Sequence, residues 1–207
     1  MSDLPHITRK HKICVICEGF EDYEYFKRLT ELNIWSSEYD FHPINAKSAS
    51  NIPARYQNEL NNDNYEVILI FCDTDKSPHR EYENIKKKIN NIHADGTAFD
   101  KIVIFANPCT MQIILSHFGD VELKNQGKKT NAETIKKFTG ISDYDAHDEQ
   151  VKELCGKIYQ RTYHDMKERV AKINFPYDTP CSTNFIVYLD RFENDNADWI
   201  DEISREL

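Results

Sequence analysis

Asp73 and Asp75 stand two residues apart, just behind the apolar run Val67-Ile68-Leu69-Ile70-Phe71. Five apolar residues in succession suit a strand buried on both faces, the usual state in a parallel sheet. In an open α/β sheet, ligand sites lie outside the carboxyl ends of the strands. Two carboxylates placed there repel one another unless a cation lies between them. The plainer alternative is an acidic turn in which Asp75 or Ser77 caps the next helix. A second apolar run, Ile13-Cys14-Val15-Ile16-Cys17, also ends on an acid, Glu18, followed by Gly19. Adjacent parallel strands lie about 4.8 Å apart, so pairing of these two strands would bring Glu18, Asp73 and Asp75 onto one metal ion. Carboxylate and water ligands suit Mg²⁺ or Mn²⁺. At a phosphodiester, such an ion neutralises charge on the attacked phosphate and on the leaving oxygen.

Other residues are candidates for support. Asp22 lies one helical turn beyond Glu18 and is placed to reach the same cation. Taken alone it reads better as a surface charge or cap, and Glu18 as an acid at a helix start. Gly19 permits a tight turn and close approach of a phosphate. Asn107, at another strand end, is placed to orient a ligand. His117 is within reach of a phosphate, although one histidine on an apolar helix is more often a packed core residue. Lys124, Lys128, Lys129, Lys136 and Lys137 are the best candidates for holding a nucleic-acid backbone. Their alternative is an ordinary solvated loop and helix. Tyr144 is one aromatic residue available to stack on a base.

The elements that must position these residues follow from periodicity. Strands are predicted over 12–17, 39–44, 67–71 and 101–106. Between them, helices are predicted over 21–32, from an N-cap at Ser50 with Pro53 in the first turn to 62, and over 79–93. Alternation of strands and helices implies βαβ units and a mostly parallel sheet. The second half changes character. A short buried helix is expected over 110–118, a long one over 148–173, and two more over 182–192 and 198–207. The expected organisation is an α/β core over 1–120 with a helical extension over 121–207 packed on it.

Composition narrows the function. A formal net charge of -9 argues against a general polyanion binder but leaves room for a local basic patch. No run approaches the roughly 20 apolar residues of a membrane span. Met1 to Lys12 is polar and basic, so no signal peptide is expected, and the chain reads as cytoplasmic. Six cysteines fit a reduced chain with buried thiols. Cys14-x-x-Cys17 as a redox or zinc pair is disfavoured, because it lies at a strand end and no second pair follows.

Ile-Cys-Val-Ile-Cys-Glu18-Gly19, a helix, another β-α unit and then Phe-Cys-Asp73-Thr-Asp75 resemble a Toprim domain. Glu18-Gly-Phe-Glu-Asp22-Tyr-Glu-Tyr25-Phe26 is similar to the subgroup of OLD-type and RloB-like nucleases, which carry a second acid near that point. Asn107-Pro108-Cys109, followed by an apolar run to His117-Phe118, resembles the Asn-Pro-Cys-Phe-Glu…His-Phe stretch of RloB-like proteins, and Ser182-Thr-Asn184 fits loosely. The resemblance implies a Toprim-type, mostly parallel sheet flanked by helices, with a helical C-terminal half. It implies Mg²⁺ held by Asp73 and Asp75, with Glu18 as ligand or general acid/base and Asp22 aiding a second ion. It also implies cleavage of DNA or RNA, tRNA included, in bacterial anti-phage defence, often beside an ATPase partner. A homo-oligomer is left open. One departure stands out: Thr110-Met111 replaces Phe-Glu of the subgroup, so one acid is missing.

Three other readings compete. A Toprim-like module that binds metal, nucleic acid or a partner without cleaving would explain Met111. Asp73-Thr-Asp75-Lys-Ser77 superficially resembles the nucleophile motif of haloacid-dehalogenase-type phosphatases, but follows the third strand rather than the first. Asp-x-Asp after a strand also occurs in nucleotide-sugar glycosyltransferases, which leaves Glu18-Gly19 unexplained. Gly127-Lys-Lys-Thr130 fails as a P-loop, because residue 122 is Glu and Lys129 takes the Ser/Thr place, so an ATP-driven step would fall to a partner.

Overall fold

Four parallel strands, β1 (His11–Cys17), β2 (Tyr39–Asn45), β3 (Val67–Asp73) and β4 (Val103–Ala106), pair in the order β2-β1-β3-β4. The structure, a computed structural model, describes residues 9–75 and 77–207. Most of the stretch read for a leader, residues 1–8, lies outside them, as does Lys76 of the Asp-x-Asp-x-Ser motif. Ile13 to Cys17 of β1 and Val67 to Cys72 of β3 are buried, as their unbroken apolar runs require. β2 is an edge strand, which is why it tolerates Pro43 and stays half-exposed. The other edge, β4, is blunted by Asn184. Its Oδ1 accepts from Phe105 N–H at 2.9 Å and its Nδ2 donates to the Val103 carbonyl at 2.8 Å.

The chain steps one way from β1 to β2 through α1 (Phe20–Glu31). It returns past β1 to β3 through α2 (Ile52–Asn62), then reaches β4 through α3 (Arg80–His93) and α4 (Ala98–Ile102). Right-handed crossovers therefore put α1 on one face and α2, α3 on the other. Alternation along β3 shows the two faces. Phe71 packs on Phe26 and stacks on Phe185, while Cys72 faces Tyr82 of α3. The reversal of direction lies between β1 and β3, the crevice where open α/β sheets bind ligands.

The C-terminal half is helical: α5 (Met111–Ser116), α6 (Lys128–Thr139), α7 (Asp148–Gly156), α8 (Gln160–Ala171), α9 (Phe185–Glu193) and α10 (Asp198–Glu206). Its apolar faces join the sheet in one core, with Phe192 meeting Phe26, Trp35 and Phe41. Among the described residues, no helix is long and apolar enough to cross a membrane.

Four predicted boundaries need correction. The helix expected over 148–173 is two, α7 and α8. Lys157 and Ile158 amides bond back to the Leu154 and Cys155 carbonyls, and Thr162 Oγ1 accepts from Tyr159 N–H at 2.9 Å to start α8. Ile158 is buried in the break, so the apolar spacing runs on without a continuous helix. Lys101 and Ile102 end α4 rather than opening β4. Ser182 and Thr183 precede α9, with Thr183 bridged to Ala106. Ser50 belongs to a 3-10 turn, Ala49–Asn51, and Asn51 precedes α2.

Candidate acidic centre

The register of β1 and β3 decides the geometry. Cys17 lies opposite Phe71, and one residue on Glu18 N–H donates to the Phe71 carbonyl at 3.0 Å. Asp73 N–H then donates to Glu18 Oε2 at 3.1 Å, which ties the two strand ends together. Asp22, on the first turn of α1, accepts from Gly19 N–H through Oδ2 at 2.8 Å. Asp73 Oδ1 accepts from the amide and the hydroxyl of Thr110, at 2.7 and 3.0 Å. Thr110 lies just past β4, so three neighbouring strand ends contribute. Each carboxylate commits one oxygen this way. Glu18 Oε1 and Asp73 Oδ2 have no hydrogen-bond partner among the described residues, whereas the Thr110 side chain also reaches Asp22.

Burial and mutual repulsion set the electrostatics. Burial first, then Asp22, push Glu18 up from 4.5 to about 8, against the pull of the Asp73 amide. Burial, then Asp22 and Glu18, hold Asp73 well above the usual carboxylate range, with Thr110 and Lys128 opposing. Burial raises Asp22 as well, opposed by Thr110, Gly19 and Lys128. Burial, then Glu81, raise Asp75, and His79 lowers it; Asp75 and Glu81 in turn add to the rise of Glu18. The structure thus brings together Glu18, Asp22 and Asp73, with Asp75, at φ 56°, near enough to raise Glu18 as well. Asp22 is no surface charge; it is 6% exposed and caps its helix at the same time.

Several candidates have other duties. Lys128 is not free for a nucleic-acid backbone, because its Nζ grips both oxygens of Glu21 at 2.7 and 2.8 Å. Tyr144 is buried and donates to Glu21 Oε2 at 2.6 Å, so no base can stack on it. His117 is a core residue, 1% exposed, bonded to Tyr25 Oη at 2.9 Å and facing Thr162; burial lowers it from 6.5 to about 3. Gly19 is extended, at φ -134°, so no turn demands glycine; a Cβ there would meet Asp22 Oδ2 at 3.4 Å. Asn107 donates from Nδ2 to the Tyr177 carbonyl at 2.7 Å. Lys124, Lys129, Lys136 and Lys137 are exposed. Cys14 and Cys17 are buried and unbridged, with burial pushing Cys14 to about 12, contrary to a reactive pair.

Thr110, Glu21 and Tyr144 hold the centre together and were not singled out for it. The Thr110 signal was present in the sequence, as a hydroxyl residue just past a strand end. Oxygen donors of this kind suit a hard cation. Among the described residues, however, no group of three or more His, Cys, Asp or Glu side chains closes around one point as a ready cage. A cleft of about 330 Å³ opens beside Asp75, between His79, Asn107, Leu123, Lys124 and Cys181. Another of similar volume, lined by Tyr56, Val67 and His93, lies at the opposite end of the strands, remote from the acids. Compared with known proteins, the chain matches no family model, no curated protein and no solved structure.

Proposed function

We infer that the protein is a Toprim-type nuclease that cleaves nucleic-acid phosphodiester bonds with Mg²⁺ or Mn²⁺. The observation that carries this is the Asp73 N–H to Glu18 Oε2 bond at the β1/β3 switch point, with Asp22 beside it. One buried and two half-buried carboxylates, all with raised pKa values, are costly for a fold, and perturbed acids gather where chemistry is done. Asp22 and Asp73 would hold the cation through the oxygens that their backbone bonds leave over. When bound, the cation would supply charge neutralisation at the attacked phosphate. Glu18, with its pKa near neutrality, is suited to carry the proton. It would take the proton of the attacking water as the new P–O bond forms, and solvent would protonate the leaving oxygen as the old bond breaks. Thr110 holds Asp73 in place, and Lys128, itself held by Glu21, offsets part of its charge. Lys124, Lys129, Lys136 and Lys137 are the residues left to meet the backbone.

The test is incubation of the protein with labelled DNA and with total tRNA, in Mg²⁺, Mn²⁺ or EDTA, beside Glu18→Gln and Asp73→Asn. Cleavage that needs metal and is lost in both variants supports the proposal. Cleavage that survives both substitutions would place the chemistry elsewhere, and metal binding without cleavage would favour a binding module.

A further inference from the structure

Thr110 touches both of the acids assigned to the cation and belongs to neither of their elements. Asp73 ends β3 and Asp22 lies in the first turn of α1, whereas Thr110 arrives from beyond β4. Its amide donates to Asp73 Oδ1 at 2.7 Å, and its hydroxyl to the same oxygen at 3.0 Å. The side chain also makes a hydrogen bond to Asp22, whose Oδ2 accepts from Gly19 N–H at 2.8 Å. A threonine hydroxyl carries a single hydrogen, and an ionised carboxylate only accepts. One hydrogen therefore faces two acceptors. The arrangement works because the amide satisfies Asp73 Oδ1 by itself, which releases the hydroxyl hydrogen to turn toward Asp22.

The oxygen between the two acids is fixed in place. Thr110 is fully buried. Its carbonyl accepts from the Ile113 and Ile114 amides at 2.9 and 3.0 Å, at the start of the buried helix α5. The segment that leads to it is stapled to the end of β3: Thr74 N–H donates to the Ala106 carbonyl at 2.9 Å, and Asp75 N–H to the Pro108 carbonyl at 3.2 Å. From the C-terminal half, the Ser182 and Tyr177 carbonyls accept from the amide and the Nδ2 of Asn107, at 2.9 and 2.7 Å. A β-branched side chain has little freedom about χ1, so of the hydroxyl only the hydrogen turns. We propose that Thr110 is the positioning residue of the cation site: it joins Asp22 to Asp73 across α1 and β3, and sets the spacing and angle at which both carboxylates meet one divalent ion. The inference rests on the reading of Asp22 and Asp73 as the residues that hold the cation, while the bridge itself rests on contacts made without metal. Groups that orient metal ligands without touching the ion cost roughly ten- to hundredfold in metal affinity when they are removed.

Thr110→Val keeps the amide and the branched shape and removes only the hydroxyl; Thr110→Ser puts the hydroxyl back. Two measurements on the whole protein read the two parts of the proposal. In EDTA, NMR hydrogen exchange of the Gly19 amide reports how firmly Asp22 is held, because that amide donates to it. The Leu69 amide, in the middle of β3, is the control for general loosening. Expected is at least threefold faster exchange at Gly19 in Thr110→Val, little change at Leu69, and a return to the wild-type rate in Thr110→Ser. With Mn²⁺ as the probe, electron paramagnetic resonance should show binding weakened about tenfold in Thr110→Val and largely restored in Thr110→Ser. Unchanged exchange at Gly19, equal acceleration at Leu69, or a serine variant that restores neither reading would overturn the proposal. Mn²⁺ bound equally by the wild type and Thr110→Val would keep the cation reading and reject the part given to Thr110. No Mn²⁺ bound by the wild type, with Gly19 loosened in Thr110→Val, would reject the cation reading and leave Thr110 a bridge between two acids alone.

Discussion

Glu18→Gln should make the metal-free protein more stable at neutral pH, although it removes a residue central to its chemistry. Glutamine keeps the length of the side chain, and its Oε1 can still accept from Asp73 N–H, so the tie between β1 and β3 survives. What disappears is a charge that burial and Asp22 disfavour, lifting Glu18 from 4.5 to about 8. A raised folded-state pKa means that the fold binds the proton more tightly than the unfolded chain. This contribution is complete below 4.5 and is lost as pH rises through about 8. At 1.36 kcal/mol per unit, the loss between pH 4.5 and pH 7 is about 3 kcal/mol, which corresponds to roughly 6–12 °C in Tm for a chain of this size. The assay is urea unfolding in EDTA across pH 4.5 to 8, for both proteins. Taking the difference between them cancels the titrating groups outside the acidic centre. The difference should be near zero at pH 4.5, grow to about 3 kcal/mol in favour of Glu18→Gln at pH 7, and shrink when Mg²⁺ is added. A difference that does not change with pH would refute the picture of repelling buried acids.

Three further outcomes follow from particular contacts. Thr74, between the two aspartates, is fully buried and its hydroxyl has no partner among the described residues; Thr74→Val should therefore stabilise by about 1 kcal/mol in urea unfolding. His117 is held at about 3 by burial, so below 6.5 the unfolded chain takes a proton that the fold refuses. Stability should fall on this limb by on the order of 4 kcal/mol toward pH 3, and His117→Gln should flatten it. Lys128→Met strands Glu21, whose side chain is only 11% exposed, and should cost about 2–3 kcal/mol. Adding Glu21→Gln should restore part of that loss, which a double-mutant cycle reads directly.

The sheet was legible where local pattern and burial coincide. Ile13 to Cys17 and Val67 to Phe71 can only be strands covered on both sides, and the acids behind them mark where the cover ends. Their adjacency is a property of topology, which alternation of helices and strands narrows to few orders. The break at Lys157 to Tyr159 was hidden because Ile158 keeps the apolar period on a turn that bends the chain. The anchoring of Asp73 was hidden too. It depends on Thr110 arriving from beyond β4. Lys128 read as one of five similar lysines, yet a glutamate 107 residues away in sequence makes it a half-buried counter-ion. Contacts across that separation leave no trace in local composition.

Binding of Mn²⁺, followed by electron paramagnetic resonance in the wild type, Asp73→Asn and Asp75→Asn, addresses the acidic centre most directly. If Asp22 and Asp73 hold the cation, Asp73→Asn should weaken Mn²⁺ binding at least tenfold, and Asp75→Asn should weaken it much less. Equal binding in all three proteins, or loss in Asp75→Asn alone, would contradict a cation site at the junction of β1 and β3.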